Sequence, residues 1–166
     1  MDGEHSGLGA GHGRRIAFVQ SCWHKDLVDQ SRSAFVAEIG QLGVAESEID
    51  FFEVTGAFEI PLHAMRLAET GRYDAIVAAG LVVDGGIYRH EFVAEAVLGG
   101  LMRVQLDSGV PVISAVLTPH RFHEHETHRA FFFEHLKTKG AEAARACVHT
   151  IDAVERLPES TFEASE

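Results

Sequence analysis

Four short apolar runs, each bounded by polar or glycine-bearing sequence, punctuate the chain. They are residues 15–20 (RIAFVQ), 49–55 (IDFFEVT), 74–79 (DAIVAA) and 111–117 (PVISAVL). Runs of this length rich in Val, Ile and Phe predict β-strands. Between them the apolar positions recur at helical spacing. Val28, Phe35, Ile39 and Leu42 share one face of a helix over 26–42, which Gly43 closes. A second helix is predicted over 58–69, with Pro61 tolerated in its first turn and Gly71 at its end. Val93, Val97, Leu101 and Val104 mark a third, running from His90 up to Gly109. Two further helical stretches, 123–137 and 141–154, follow the fourth strand.

Strands that alternate with helices pair in parallel through right-handed crossovers. The run AIVAAGLVV, residues 75–83, is too continuously apolar for a sheet with one face in water. The expected fold is therefore a three-layer α/β/α sandwich around a four-stranded parallel sheet. It forms one domain over 14–157, with a glycine-rich tail over 1–13, a polar tail over 158–166 and no internal repeat.

Composition narrows the function. A chain of 166 residues, 46% of them apolar, can bury a single sizeable core. A formal net charge of −11 leaves no basic stripe to displace counterions, which argues against nucleic acid as a partner. No apolar run is long enough to cross a bilayer, and no basic segment followed by an apolar one opens the chain, so no membrane partner is expected. Cys22 and Cys147 match no metal or redox spacing and read as reduced thiols of a cytoplasmic protein. Gly9-Ala10-Gly11-His12-Gly13 lies before the first strand and so fails as a dinucleotide fingerprint.

In open α/β sheets, ligands bind beyond the carboxyl ends of the strands. Chemically suggestive residues fall there four times. Ser21-Cys22-Trp23-His24 follows the first strand, and Gly56-Ala57-Phe58-Glu59-Ile60-Pro61 the second. Leu81 to His90 follows the third, and Thr118-Pro119-His120 the fourth. A turn from strand into helix leaves outward-pointing N–H groups that can hold a polar ligand. Trp23, the only tryptophan, either stacks on a planar heterocycle or is an ordinary core or interface aromatic. Glu59 either caps its helix or accepts hydrogen bonds from polyol hydroxyls. His90 is either a solvated helix-start histidine or a base placed to take a proton.

Two features invite other readings. The histidine-rich stretch 120–128 has neither the His-Glu-x-x-His nor the zinc-finger spacing, and reads as a solvated polar helix; a metal-dependent hydrolase is the corresponding alternative. Phe131-Phe132-Phe133 covers more than one helix face, so at least one ring must leave the subunit's own core. That points to an oligomer contact or a loop-covered core.

Taken together, Gly56-Ala57-Phe58-Glu59-Ile60-Pro61, the glycine loop ending in His90, the Pro111-Val112 strand ending in Leu117-Thr118, and Lys139-Gly140 before an Ala-rich helix resemble the 6,7-dimethyl-8-ribityllumazine synthases. The resemblance covers residues 14–154. It implies a flavodoxin-like sandwich, a homo-oligomer of pentamers with active sites between subunits, and no cofactor or metal. It also implies the riboflavin-pathway condensation of 5-amino-6-ribitylamino-uracil with 3,4-dihydroxy-2-butanone 4-phosphate, without a redox step.

Residue roles follow from the same resemblance. Trp23 would stack on the pyrimidine. Gly56 and the backbone of Ala57 and Phe58, with the Glu59 carboxylate, would hold the ribityl chain. Leu81, Val82 and Val83 would line the ring pocket, and Gly85, Gly86 and Ile87 would offer backbone donors to phosphate. His90 would shuttle protons. Arg129 of a neighbouring subunit would bind phosphate, with Arg121 as the alternative, and Lys139 of that neighbour would approach the pyrimidine. Ser114 stands where an aromatic is common in the fourth strand. Many members read Arg-Gly-x-Thr-x-His where this chain has Asp84-Gly85-Gly86-Ile87-Tyr88-Arg89-His90, one residue longer and without the threonine. That is similar to the second, decameric type of the family. The altered loop also motivates an alternative: a module that sequesters a flavin or lumazine with little catalysis.

Overall fold

A computed structural model describes residues 13–84, 89–119 and 126–159. Residues 1–12 and 160–166, which make up most of the expected tails over 1–13 and 158–166, and the segments 85–88 and 120–125 lie outside the described residues. Four strands, β1 (Ile16–Ser21), β2 (Ile49–Val54), β3 (Ala75–Leu81) and β4 (Val112–Leu117), form one sheet in the order β2-β1-β3-β4. Every adjacent pair is parallel. Four helices connect or follow them: α1 (Lys25–Gln41), α2 (Ile60–Glu69), α3 (His90–Ser108) and α4 (Glu126–Glu155).

Alternation along each strand divides the core in two. Ile16 and Phe18 of β1 and Val77 and Ala79 of β3 pack with Leu27, Phe35 and Ile39 of α1 and Leu136, Ala144 and Ile151 of α4. Ala17 and Val19 of β1 and Ile76 and Ala78 of β3 pack instead with Ile60 and Ala64 of α2 and Val97, Leu101 and Val104 of α3. A period-2 strand apolar at both parities must be covered on both faces. The expected three-layer sandwich and its parallel sheet are both present.

The elements end within a residue or two of the sequence expectations, with two corrections. β3 runs on to Leu81, two residues beyond Ala79, because Gly80 and Leu81 pair with Val116 and Leu117 of β4. Leu81 is therefore the last strand residue rather than the first of the loop. The second helix opens as a single 3-10 turn over Ala57–Glu59 before the α-helix begins at Ile60.

The larger correction concerns the C-terminal part. The two helical stretches expected over 123–137 and 141–154 are one helix of 30 residues, Glu126–Glu155. Gly140 looks like a break but is a packing residue. A Cβ built there would lie 2.1 Å from the carbonyl oxygen of Ser31 and 2.8 Å from its Cα, both in α1. The two helix backbones approach so closely that only glycine fits between them. Side-chain clusters tie the same helices further along, where Arg145 Nη1 donates to Glu38 Oε1 at 2.8 Å.

Of the three consecutive phenylalanines, Phe132 is buried, whereas Phe131 is 59% exposed and stacks on His135 with ring centroids 5.6 Å apart. One ring does leave the subunit's own core, as the sequence pattern requires.

Because a methyl group at position 140 has backbone rather than a flexible side chain in its way, Gly140→Ala should force α1 and α4 apart. Urea denaturation is expected to show a loss of about 3 kcal/mol, and a loss below about 1 kcal/mol would contradict the close approach.

Candidate active site at the strand tips

The strand order fixes where a ligand can sit. From β1 the chain moves one way, through α1, to β2; from β2 it returns past β1, through α2, to β3. The two crossovers lie on opposite faces, so a crevice opens at the carboxyl ends of β1 and β3. Both connections around that crevice are short turns, 22–24 and 55–59, and both carry the residues singled out above.

Beyond β1, Cys22 N–H donates to the carbonyl oxygens of Val54 at 2.8 Å and Thr55 at 3.2 Å, which ties the two turns together. Trp23 follows and is 67% exposed. His24, at φ 54°, ψ 42°, is the only non-glycine with positive φ among the described residues, and α1 starts directly after it. Left-handed backbone costs most residues about 1–2 kcal/mol, histidine being among those that adopt it more readily, and the His24 carbonyl accepts from Leu27 and Val28 N–H at 3.0 Å each.

Beyond β2, Gly56 is buried in extended backbone, and its N–H donates to Glu59 Oε2 at 2.9 Å. Of the two readings of Glu59, capping is therefore real, in the manner of a capping box. The residue is nonetheless exposed, which leaves the carboxylate accessible from solvent. A Cβ on Gly56 would stand 3.7 Å from Cδ2 and Cε3 of Trp23. The indole thus lies against the glycine, and Trp23, Gly56 and Glu59 form one continuous surface. Phe58 is also exposed there, while Ala57 is buried.

Below this surface the packing is tight. Ser21, Gly80, Ala57 and Ile60 meet, and a Cβ on Gly80 would lie 2.8 Å from Ser21 Oγ. That hydroxyl has no hydrogen-bond partner and is the one buried side-chain oxygen or nitrogen in this condition among the described residues. Leu81, the last residue of β3, and Val82 just beyond it are buried, Val83 is half-buried, and Val82 N–H donates to Leu117 O at 2.8 Å. Gly85, Gly86 and Ile87 lie outside the described residues.

His90 is the first residue of α3, as expected, and its side chain is only 13% exposed. Its Nδ1 is 3.7 Å from Glu91 Oε2. One turn on, Ala94 packs in the same cluster as Ala57 and Val82, so α3 enters beside the Gly56 turn.

Two expected site residues line a groove elsewhere in the subunit, and a third meets the start of α1. Ser114 and Lys139 line a groove of about 300 Å³ between β4 and α4, together with Ile113, Leu117 and Glu142. Lys139 Nζ donates to Glu142 Oε2 at 2.7 Å. Arg129, on the first turns of α4, is paired through Nη2 with Asp26 Oδ2 on the first turn of α1, and this guanidinium holds the Asp26 carboxyl below the usual carboxylate range. Arg121 and most of the histidine-rich stretch lie outside the described residues. No group of three metal-ligating side chains occurs among the described residues.

Sequence reasoning missed a polar cluster behind the Trp23 turn. Gln20, Lys25, Asp29, Arg32 and Glu53 converge there on the α1 side of the sheet. The available signal was Gln20 itself, a polar residue closing an otherwise apolar strand, with Lys25 and Asp29 at helical i, i+4 spacing.

With this geometry in view, sequence comparison decides the family. Residues 13–155 match the profile of the 6,7-dimethyl-8-ribityllumazine synthases. The chain belongs to this family. It is 64% identical over 143 residues to 6,7-dimethyl-8-ribityllumazine synthase 2 of Pseudomonas syringae pv. tomato, covering 86% of this chain and 84% of that one. It is 63% identical over 148 residues to 6,7-dimethyl-8-ribityllumazine synthase of Rhodococcus erythropolis, covering 89% and 96%. A third relative, 6,7-dimethyl-8-ribityllumazine synthase 2 of Bradyrhizobium diazoefficiens, is 58% identical over 144 residues, covering 87% and 86%. The lumazine synthase family therefore spans nearly all of the described structure, strand tips and α4 alike.

The cysteines of this lumazine synthase chain make a pH prediction. Burial pushes the Cys147 thiol up to about 12, whereas the unfolded thiol titrates near its ordinary value of 9.0. The folded state keeps its proton longer. The associated stability is intact below pH 9 and is lost as pH rises toward 12. Unfolding titrations between those limits should show a falling stability in the native chain and a shallower fall in Cys147→Ala; identical slopes would contradict the buried thiol.

Proposed function

We infer that the chain catalyses the formation of 6,7-dimethyl-8-ribityllumazine from 5-amino-6-ribitylamino-uracil and 3,4-dihydroxy-2-butanone 4-phosphate, within riboflavin biosynthesis. The observation that carries this reading is the joint surface of Trp23, Gly56 and Glu59 at the switch point of a chain that belongs to the lumazine synthase family over residues 13–155. An exposed indole suits a flat pyrimidine, and the carboxylate of an exposed glutamate suits a row of ribityl hydroxyls.

The chemistry asks little of the protein in nucleophilic power. The pyrimidine's 5-amino group attacks the ketone and water leaves to give an imine. Loss of inorganic phosphate and a second condensation with the ribitylamino nitrogen close the ring, releasing another water. The chain supplies proximity, stacking and proton transfer. His90, largely buried at the start of α3, is the group we assign to move protons on and off the reacting carbon and oxygen atoms. Leu81, Val82 and Val83 line the pocket beneath the ring.

Ser114, Lys139 and Arg129 fit a site completed by a second copy. Within one subunit Ser114 and Lys139 lie in the β4–α4 groove and Arg129 is engaged with Asp26, so we assign all three to the site of a neighbouring copy. Exposed ion pairs such as Arg129–Asp26 contribute only about 0–1 kcal/mol. Exchanging Asp26 for a phosphate dianion is therefore energetically cheap, and the guanidinium offers a two-pronged donor for it. A pentamer-based assembly, of the decameric kind, follows from this reading, as does a cytoplasmic setting. Among the described residues no helix is long and apolar enough to cross a membrane.

Mixing both substrates with the protein and following the fluorescent lumazine tests the assignment; tight flavin binding with no product would instead favour sequestration. In the same assay His90→Ala should lower turnover roughly 10²-fold while a product analogue still binds. Arg129→Ala should raise KM chiefly for the phosphate-bearing substrate. Unaltered turnover in the first variant or an unaltered KM in the second removes that residue from its role.

A further inference from the structure

The turn that presents Trp23 is short and left-handed at His24, whose carbonyl accepts from the N–H groups of Leu27 and Val28 at 3.0 Å each. Its left-handed residue, His24, is not a glycine, and such backbone persists only where the surroundings over-determine it. Within one subunit the indole makes little use of core packing. A polar cluster stands behind the turn.

Gln20, at the end of β1, is 1% exposed. A buried amide without partners is costly, and here both ends are engaged. Nε2 donates to Asp29 Oδ1 at 2.8 Å, and Arg32 Nη1 approaches Oε1 at 3.5 Å. Glu53 of β2 stands opposite Gln20 in the sheet register. Lys25 Nζ bridges the two acids, at 2.9 Å and 3.2 Å from the Asp29 oxygens and 2.9 Å from Glu53 Oε1. Arg32 closes the ring of charges, 4.0 Å from Glu53 and with its guanidinium 3.9 Å from the centre of the Phe51 ring.

Charges of alternating sign thus join β1, β2 and the first two turns of α1, and they bracket the turn on both sides. Its entry is fastened by Cys22 N–H on the Val54 carbonyl. At its exit Lys25, the first residue of α1, pairs with both Glu53 and Asp29; each pair is partly exposed, so the restraint comes from the network anchored on the buried Gln20 amide and not from one pair. The three-residue turn is thus tied to the sheet at both ends, and between them His24 is left-handed and Trp23 lies against Gly56.

We propose that Lys25, Glu53, Asp29 and the buried Gln20 form a clamp that positions the Trp23 indole for the pyrimidine, making Lys25 and Glu53 positioning residues for the condensation. The role in substrate binding rests on the function inferred above; the restraint on the indole does not.

Trp23 is the only tryptophan, so its fluorescence reports on this turn alone. The test compares the native protein with Lys25→Met and Glu53→Gln, the latter isosteric, after circular dichroism has shown each to be folded. Time-resolved anisotropy without substrate should show a fast local motion of the indole that the native protein lacks. KM for the pyrimidine should rise about fivefold or more, with kcat and KM for the butanone phosphate within about twofold. Lys25→Arg should restore both readouts. Unchanged anisotropy in the folded variants overturns the clamp. So does an altered melting temperature accompanied by neither a faster indole nor a higher KM. If native protein forms no lumazine, the functional reading fails, and the anisotropy comparison still decides the clamp.

Discussion

The reversal of strand order at β1 and β3 governs this molecule. Because β1 feeds a neighbour on one side and β3 is reached from the other, the helices leaving the two sides cannot both cover the strand tips. The turns after β1 and β2 are consequently left facing a common opening. Cys22 N–H on the Val54 carbonyl then brings them into direct contact. The adjoining surface of Trp23, Gly56 and Glu59 is a consequence of that topology before it is a property of any single residue.

Helix α1 answers to both ends of this arrangement. Its inner face carries Leu27, Phe35 and Ile39 into the core. Its middle accepts α4 at a backbone-to-backbone contact across Gly140. Its first turns hold Lys25 and Asp29, which grip β1 and β2 through Gln20 and Glu53. A helix located so firmly by apolar packing can hold a strained turn at its start. The burial of one helix face thereby becomes a fixed position for one exposed aromatic ring.

Most of the architecture was legible in the sequence because each strand is apolar at both parities and each helix has its own stripe. The Gly56 to Pro61 segment and His90 were found at helix starts, where their chemistry suggested they would be. Legibility failed where a residue's role depends on a partner distant in sequence. Gly140 has the signature of a helix break, and only the Ser31 backbone across the interface makes it a packing residue. Glu59 could be read as a cap or as a ligand group, and the Gly56 N–H resolves the first. Gln20 reads locally as a strand end, since nothing near it in sequence shows that Asp29 and Arg32 will meet it. No local pattern announces that Arg129 meets Asp26 within its own subunit.

The central claim is that the heterocycle is received at the strand tips, on the indole of Trp23. A crystal structure of the protein bound to a ribityl-lumazine analogue tests it most directly. The account predicts the ring stacked on Trp23 with its ribityl hydroxyls against Gly56 to Glu59. A ring seated wholly in the β4–α4 groove, touching no subunit's Trp23, would contradict it.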